Sequence, residues 1–203
     1  MRDLLLIFTR NPELGKVKTR LAADVGQETA LRIYETLLHH TRSVTEQLRV
    51  DRQVLFSEVL EKDGIWRSSR FQKGLQRGND LGDRMANAFA DGFSRGYEKV
   101  VIIGTDLYGL QQKDLEDAFD TLDESEVVIG PAEDGGYYLL GMRSMRRELF
   151  SQKDWGTSRV LDQTLKDLIG IPISLLRRQN DIDVLEDLTG LPDLEKLITP
   201  TGK

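Results

Sequence analysis

Lys99-Val100-Val101-Ile102-Ile103-Gly104-Thr105-Asp106 is the stretch on which the fold turns. Four successive β-branched residues between a cation and a glycine form a run too short for a buried helix. No polar residue alternates with them, so they predict a strand covered on both faces that delivers Thr105 and Asp106 at its carboxyl end. Working outward, Leu4 to Phe8 is a second run of this kind. Gln53 to Ser57, Phe71 to Gln76, Val127 to Gly130, Tyr137 to Met142 and Ile171 to Leu176 read as further extended segments. Helical periodicity lies between them. It runs from about Gln27 to Arg49, with Ala30, Ile33, Leu37, Leu38, Val44 and Leu48 on one face, then over Asn79 to Arg95, Gln111 to Leu122 and Thr157 to Leu168. Strands alternating with helices predict an α/β fold, a three-layer α/β/α sandwich on a mostly parallel mixed sheet, with Gly130 to Met142 as a late hairpin-like insertion. No repeat or linker-like stretch interrupts the chain, so residues 1–203 are expected to form a single domain.

Composition narrows the chemistry. The 203 residues are 39% hydrophobic and 31% charged, ordinary for a folded protein. Without cysteine there are no disulfides, zinc–thiolate sites, iron–sulfur clusters or thiol nucleophiles. The two histidines, His39 and His40, lie on a helical stretch and read as structural. A net charge of −6 offers no global basic field for nucleic acid. Leu4 to Phe8 is too short for a signal-peptide core or a membrane span, which predicts a soluble cytoplasmic protein. The oligomeric state is left open, a homodimer included.

The first strand leads into Thr9-Arg10-Asn11-Pro12-Glu13-Leu14-Gly15-Lys16-Val17-Lys18-Thr19-Arg20. Pro12 and Gly15 hold off helix until near Val17, so a loop and a helix start follow the carboxyl end of a parallel strand, where ligands bind in open α/β sheets. Arg10, Lys16, Lys18 and Arg20 place four cations in eleven residues of an acidic protein. They form either a phosphate cradle or a solvated basic turn. The P-loop and dinucleotide-binding glycine spacings are both absent.

Asp106 has the placement of a carboxylate that holds Mg²⁺ or Mn²⁺ together with phosphate oxygens and water, and equally that of a turn residue. In Asn180-Asp181-Ile182-Asp183 the two aspartates point the same way while Ile182 can anchor the turn. A metal between Asp106 and one of this pair would neutralise a diphosphate, whereas Glu186 and Asp187 suit helix capping. In Gly130-Pro131-Ala132-Glu133-Asp134-Gly135-Gly136-Tyr137-Tyr138 a hairpin explains the paired glycines but not the proline and carboxylates beside them. Gln76-Arg77-Gly78-Asn79-Asp80-Leu81-Gly82 opens a helix that Asn79 or Asp80 would cap. Gly82 costs about 1 kcal/mol relative to Ala in a helix, which predicts a close neighbour there, a nucleobase or a packed helix. Gln76 and Gly78 are candidate nucleotide contacts.

In order along nearly the whole chain, Phe8 to Leu21, Gly104-Thr105-Asp106, Gly130 to Tyr138, Trp155-Gly156-Thr157-Ser158 and Asp181-Ile182-Asp183 resemble the bacterial nucleotide-diphospho-sugar transferase-like family. The resemblance implies the Rossmann-like fold of type-A glycosyltransferases, which nucleotidyltransferases share. It implies a transferase acting on a nucleotide or nucleotide-sugar and a small-molecule acceptor, with Mg²⁺ or Mn²⁺ as cofactor. Arg10, Gly15, Lys16, Lys18 and Arg20 are implied for the nucleotide, and Asp106 with Asp183 for the metal. Two positions depart from the family: Leu107-Tyr108 replaces a common small residue and proline, and Arg10 stands where Lys is frequent.

On this reading Lys18, with the other loop cations and the metal, stabilises the leaving phosphate. Asp134, or Glu133, orients the acceptor or accepts its proton. Gly135, Gly136, Tyr137, Trp155 and Thr157 bound the acceptor, Thr157 alternatively capping a helix. Glycosyl transfer with loss of a nucleoside diphosphate is expected narrowly ahead of nucleotidyl transfer with loss of pyrophosphate, to which four loop cations would be suited. Nucleotide binding without catalysis is the third alternative.

Overall fold

The computed structural model describes residues 2–61, 63–67 and 69–198. Strand β1 (Asp3–Thr9) is followed by helices α1 (Thr19–Val25) and α2 (Gln27–Thr45), strands β2 (Asp51–Phe56) and β3 (Gln72–Leu75), and helix α3 (Leu81–Ser94). Then come β4 (Lys99–Ile103), α4 (Gln112–Thr121), β5 (Val127–Pro131), β6 (Tyr137–Met142), α5 (Val160–Asp167), β7 (Ile173–Leu175) and α6 (Pro192–Glu195). Among the described residues the strands form one seven-stranded sheet, ordered β3-β2-β1-β4-β6-β5-β7. Only β6 runs antiparallel to its neighbours.

Alternation within the two central strands builds a core on each face of the sheet. Leu5 and Ile7 of β1, with Val101 and Ile103 of β4, pack against Leu21, Ile33 and Leu37 of the first two helices and Leu115 of α4. Leu4, Leu6, Val100 and Ile102 face the opposite layer, with Met85 and Phe89 of α3 and Leu161 of α5. Every residue of β4 is buried, which is why Val100 to Ile103 has no polar position; Lys99, at the start of the strand, pairs with Asp123 at 2.7 Å. A large aliphatic side chain so enclosed contributes about 1.5–3 kcal/mol. From β1 the sheet grows towards β2 and β3 on one side, and from β4 towards β6, β5 and β7 on the other. The carboxyl ends of β1 and β4 therefore flank the switch point where α/β sheets open a ligand crevice.

Three sequence expectations are corrected. The segment Gly130 to Met142 is the hairpin expected, β5 pairing antiparallel with β6, but it is not an insertion: β6 lies between β4 and β5, inside the sheet. Helix α2 stops at Thr45, short of Arg49. There the Arg52 guanidinium takes the carbonyls of Thr45, Glu46 and Leu48 at 3.1, 2.7 and 3.0 Å, ending the helical ladder. Helix α5 begins at Val160 rather than Thr157, whose hydroxyl donates to the Asp154 carbonyl at 2.7 Å and closes a separate turn.

Gly141 of β6 sits in one row with Val101 and Val128 across the sheet. A Cβ there would lie 2.7 Å from Val128 Cγ1, 2.9 Å from Val101 Cγ2 and 3.2 Å from Leu122 Cδ1. Gly141→Ala is expected to destabilise the protein by about 1–3 kcal/mol through overpacking, read as a lower urea midpoint with an unchanged m-value.

Candidate active site

A cavity of about 420 Å³ opens at the carboxyl ends of β1 and β4, lined by Arg10, Tyr34, Gln76, Arg84, Asp106, Asp134, Tyr137, Trp155, Thr157 and Asp181 among others. That volume suits a small-molecule site. Lys18 and Asp183 are not in its lining; Lys18 meets the cavity through Asp106. Lys18 caps α1 in the left-handed backbone region, with φ 48° and ψ 44°, an uncommon conformation for a residue other than glycine. Its side chain is only 4% exposed, and Nζ lies 2.6 Å from Asp106 Oδ1 and 3.0 Å from Asp183 Oδ1. The second oxygen of Asp183 pairs with the Arg20 guanidinium. Burial by itself would lower the ammonium's pKa; the charges of Asp106 and Asp183 outweigh it and hold Lys18 above the usual lysine range.

Backbone contacts fix the carboxylates. Ile182 is buried and donates its N–H to the Asp106 carbonyl at 2.9 Å, so Asp181 and Asp183 flank a clamped residue. Asp187 accepts the N–H groups of Asp183 and Val184 at 2.7 and 2.8 Å, the capping role its position suggested. Asp181 is pushed up to about 7, first by burial, then by the charge of Asp106, with Lys18 opposing and Asp134 and Asp183 adding to the rise.

These residues fit a divalent cation. Asp106 and Asp183 reach the same cationic nitrogen, so one cation can meet both, and hard carboxylate oxygens suit Mg²⁺ or Mn²⁺. Among the described residues no three acidic or histidine side chains gather closely enough to hold an ion by themselves. Phosphate oxygens and water would complete the coordination.

Tyr34, which the sequence did not single out, ties the two loops of the site together. Its buried hydroxyl lies 3.4 Å from Thr9 Oγ1 and 3.2 Å from Thr105 Oγ1, accepts the Arg10 N–H at 3.0 Å and donates to the Arg10 carbonyl at 3.2 Å. Helix α2 thus fastens the exits of β1 and β4 to one atom. Asn11 does similar work on the next loop: its amide donates to the Val59 carbonyl at 2.8 Å and accepts the N–H groups of Glu58 and Val59. Arg84 is a second cavity residue not foreseen; it belongs to the helix face opposite the apolar stripe, a position a solvated cation would also take.

The remaining candidates separate. Arg10, Gln76, Asp134, Gly136, Tyr137, Trp155 and Thr157 line the cavity. Gln76 also donates to the carbonyls of Thr9 and Leu55 at 3.2 and 2.9 Å, joining the ends of three strands. Lys16 is not brought in: it pairs with Glu13 at 2.7 Å and Glu58 at 3.4 Å on the surface. Gly15 packs near the Gln27 side chain, and Gly78 lies against the backbone of Asp83 and Arg84. Glu133 points outward, its N–H bonded to the Gln179 carbonyl. Asp134 instead accepts the Gly136 N–H at 2.8 Å. Gly135, at φ 87°, lies against the Ser158 backbone and accepts the Leu161 N–H, so the corner is fastened to the start of α5. The Tyr137 hydroxyl is buried and has no hydrogen-bond partner among the described residues.

The close neighbour expected at Gly82 is the Phe150 carbonyl, at the end of the short 3-10 helix Arg147–Phe150, together with the Trp155 indole, each 2.6 Å from where a Cβ would sit; of the two neighbours expected it is the packed helix and not a nucleobase. Asp80 is the cap of α3, accepting the Asp83 N–H at 2.8 Å. His40 is structural, bonded to the Leu110 carbonyl and in tilted ring contact with Tyr108, which faces it rather than the cavity.

The family profile described as uncharacterized protein conserved in bacteria (DUF2064) matches residues 40–157. Among solved structures, a protein from Desulfovibrio desulfuricans G20 provisionally described as a nucleotide-diphospho-sugar transferase is 27% identical, with a TM-score of 0.85 over 98% of this chain and 97% of that one. A cytidylyltransferase from Leptospira borgpetersenii serovar Hardjo-bovis (strain JB197) is 14% identical, with a TM-score of 0.57 over 100% and 99% of the two chains. CMP:2-keto-3-deoxy-manno-octonic acid synthetase complexed with CTP is 11% identical, with a TM-score of 0.57 over 97% and 99%. The latter two share the fold, the Rossmann-like sandwich of type-A glycosyltransferases and nucleotidyltransferases. No curated protein sequence matches at a significant level.

The Tyr34 hydroxyl is the shared partner of both site loops. Tyr34→Phe keeps the ring and leaves the Arg10 N–H and two threonine hydroxyls without it. A loss of about 1–3 kcal/mol in unfolding free energy is expected, measured by urea denaturation.

Proposed function

The chain belongs to the family described as uncharacterized protein conserved in bacteria (DUF2064), and we propose that it is a transferase acting on an activated nucleotide, moving the glycosyl group of a nucleotide-diphospho-sugar to a small acceptor. We further propose that residues 1–203 act as a single domain. The observation that carries the reading is the junction of Lys18, Asp106 and Asp183 at the carboxyl ends of β1 and β4, opening on a cavity that Asp134 reaches from the other side. The full-length likeness to a protein provisionally described as such a transferase supports it.

Asp106 and Asp183 would hold Mg²⁺ or Mn²⁺, which when bound neutralises the donor's phosphate oxygens. Arg10 binds the donor diphosphate from the β1 loop, and the Lys18 ammonium is near enough to the same crevice to take charge that develops as the diphosphate leaves. Asp134, held by the Gly136 N–H, orients the acceptor hydroxyl and takes its proton. The bond from the anomeric carbon to the diphosphate oxygen breaks as the bond to the acceptor oxygen forms. Trp155 and Thr157 wall the acceptor side and exclude water.

Glycosyl transfer is favoured over nucleotidyl transfer by the disposition of the loop cations. Four would have suited a triphosphate, but Lys16 is spent on Glu13 and Glu58, and Arg20 on Asp183. Of the departure at Leu107-Tyr108, Tyr108 packs on His40 outside the cavity, whereas Leu107 contributes to the cavity wall beside Asp106.

Purified protein incubated with Mg²⁺ or Mn²⁺, nucleotide-sugars, nucleoside triphosphates and candidate acceptors is expected to release nucleoside diphosphate. Pyrophosphate release would shift the reading to nucleotidyl transfer, and neither product, with nucleotide binding intact, would leave a binding protein. Asp106→Asn is expected to lower turnover by about 10²-fold or more.

A further inference from the structure

The proposed function gives Asp106 and Asp183 to a divalent ion and Lys18 to the donor's phosphates, yet the structure joins all three residues to one another. Lys18 Nζ sits 2.6 Å from one carboxylate and 3.0 Å from the other, on a side chain that is 4% exposed. An ion bound to the same two oxygens needs the space the nitrogen fills, because Mg²⁺ sits about 2.0–2.1 Å from its ligands. Two cations cannot share that point.

We propose that Lys18 and the divalent ion are alternative occupants of the Asp106 and Asp183 pair, so that the site takes the ion and the polyphosphate together and each alone only weakly. An ion entering by itself would displace a buried ammonium from both carboxylates that it hydrogen-bonds and leave it beside a dication, and removing one partner of a buried pair is costly. A diphosphate arriving by itself would have to draw Lys18 away and leave Asp106, Asp181 and Asp183 facing one another. When both arrive, the ammonium passes to the phosphates as the carboxylates pass to the ion, and every charge keeps a partner. The exchange needs only side-chain rotation: the Lys18 backbone is fixed as the cap of α1, and four methylenes carry the ammonium. Arg20 remains on the outer oxygen of Asp183 throughout. The ligand class this site selects is thus the metal complex of a nucleoside diphosphate moiety, and by linkage each half strengthens the other's binding.

The exchange rests on the metal assignment made above, and binding of Mn²⁺ alone separates the two ideas without any turnover. Free Mn²⁺ is followed by electron paramagnetic resonance in titrations of the wild type, Lys18→Met, Lys16→Met and Asp106→Asn, each checked for folding by circular dichroism. Lys18→Gln is titrated alongside, as the variant to read if Lys18→Met does not fold. Lys18→Met is expected to bind Mn²⁺ about tenfold or more tightly than the wild type. Lys16→Met, which removes a surface charge of the same loop that pairs with Glu13 and Glu58, should change it by less than about threefold, and Asp106→Asn should abolish binding. Equal or weaker binding by the Lys18 variants overturns the exchange while leaving the metal assignment standing. A Lys16→Met effect as large as that of Lys18→Met also overturns it, since any positive charge of the loop would then serve. No binding by the wild type or by either Lys18 variant overturns both ideas.

Discussion

A buried ammonium held between carboxylates from distant parts of the chain organises the functional end of this molecule. Lys18 starts α1, Asp106 leaves β4, and Asp183 follows β7, and the three meet within hydrogen-bonding distance. An ion removed from water carries a penalty of several kcal/mol unless its partners are in place. The β1 loop, the β4 turn and the C-terminal segment must therefore arrive together or leave Lys18 uncompensated. The left-handed backbone at Lys18 fits this constraint, since local strain persists only where surrounding contacts over-determine it.

Around that centre, uncharged tethers do the positioning. Tyr34 holds the ends of β1 and β4, Gln76 the ends of β1, β2 and β3, and Asn11 the loop after β2. Each is a buried or half-buried side chain, Gln76 and Asn11 bonded chiefly to backbone and Tyr34 equally to backbone and threonine hydroxyls, so each fixes a loop without adding charge to an already acidic site. The acceptor wall is fastened separately, through Gly135 to Ser158 and Leu161. The two halves of the cavity thus rest on different anchors, one made of α2 and the other of α5.

Much of this was legible in the sequence where composition and position act locally. The run from Val100 to Ile103 announces a strand buried on both faces because no polar residue interrupts it. Aspartates directly after such strands stand out because the strand itself tolerates none. Asp80 could be read as a cap from its place before the helix. What escaped depends on tertiary neighbours. Tyr34 shares the apolar face of α2, and only the approach of Thr9 and Thr105 gives its hydroxyl a task. Lys16 and Lys18 look alike in the sequence, yet one meets Glu58 at the surface and the other is enclosed by aspartates. The close neighbour of Gly82 was legible as a steric demand, whereas its identity as Trp155 was not.

The place of β6 bears on how the chain acquires its shape during synthesis. β4 pairs with β1 on one side, but its other neighbour, β6, is made only after α4 and β5 have emerged. For that interval a strand apolar from Val100 to Ile103 presents an unpaired edge on the nascent polypeptide, the kind of surface that recruits other chains. Closure then depends on a hairpin whose second arm must slip between two strands already laid down. The tight corner at Gly135 and Gly136 shortens that interval, giving the turn a duty in safe production of the protein apart from any part it plays in the finished crevice.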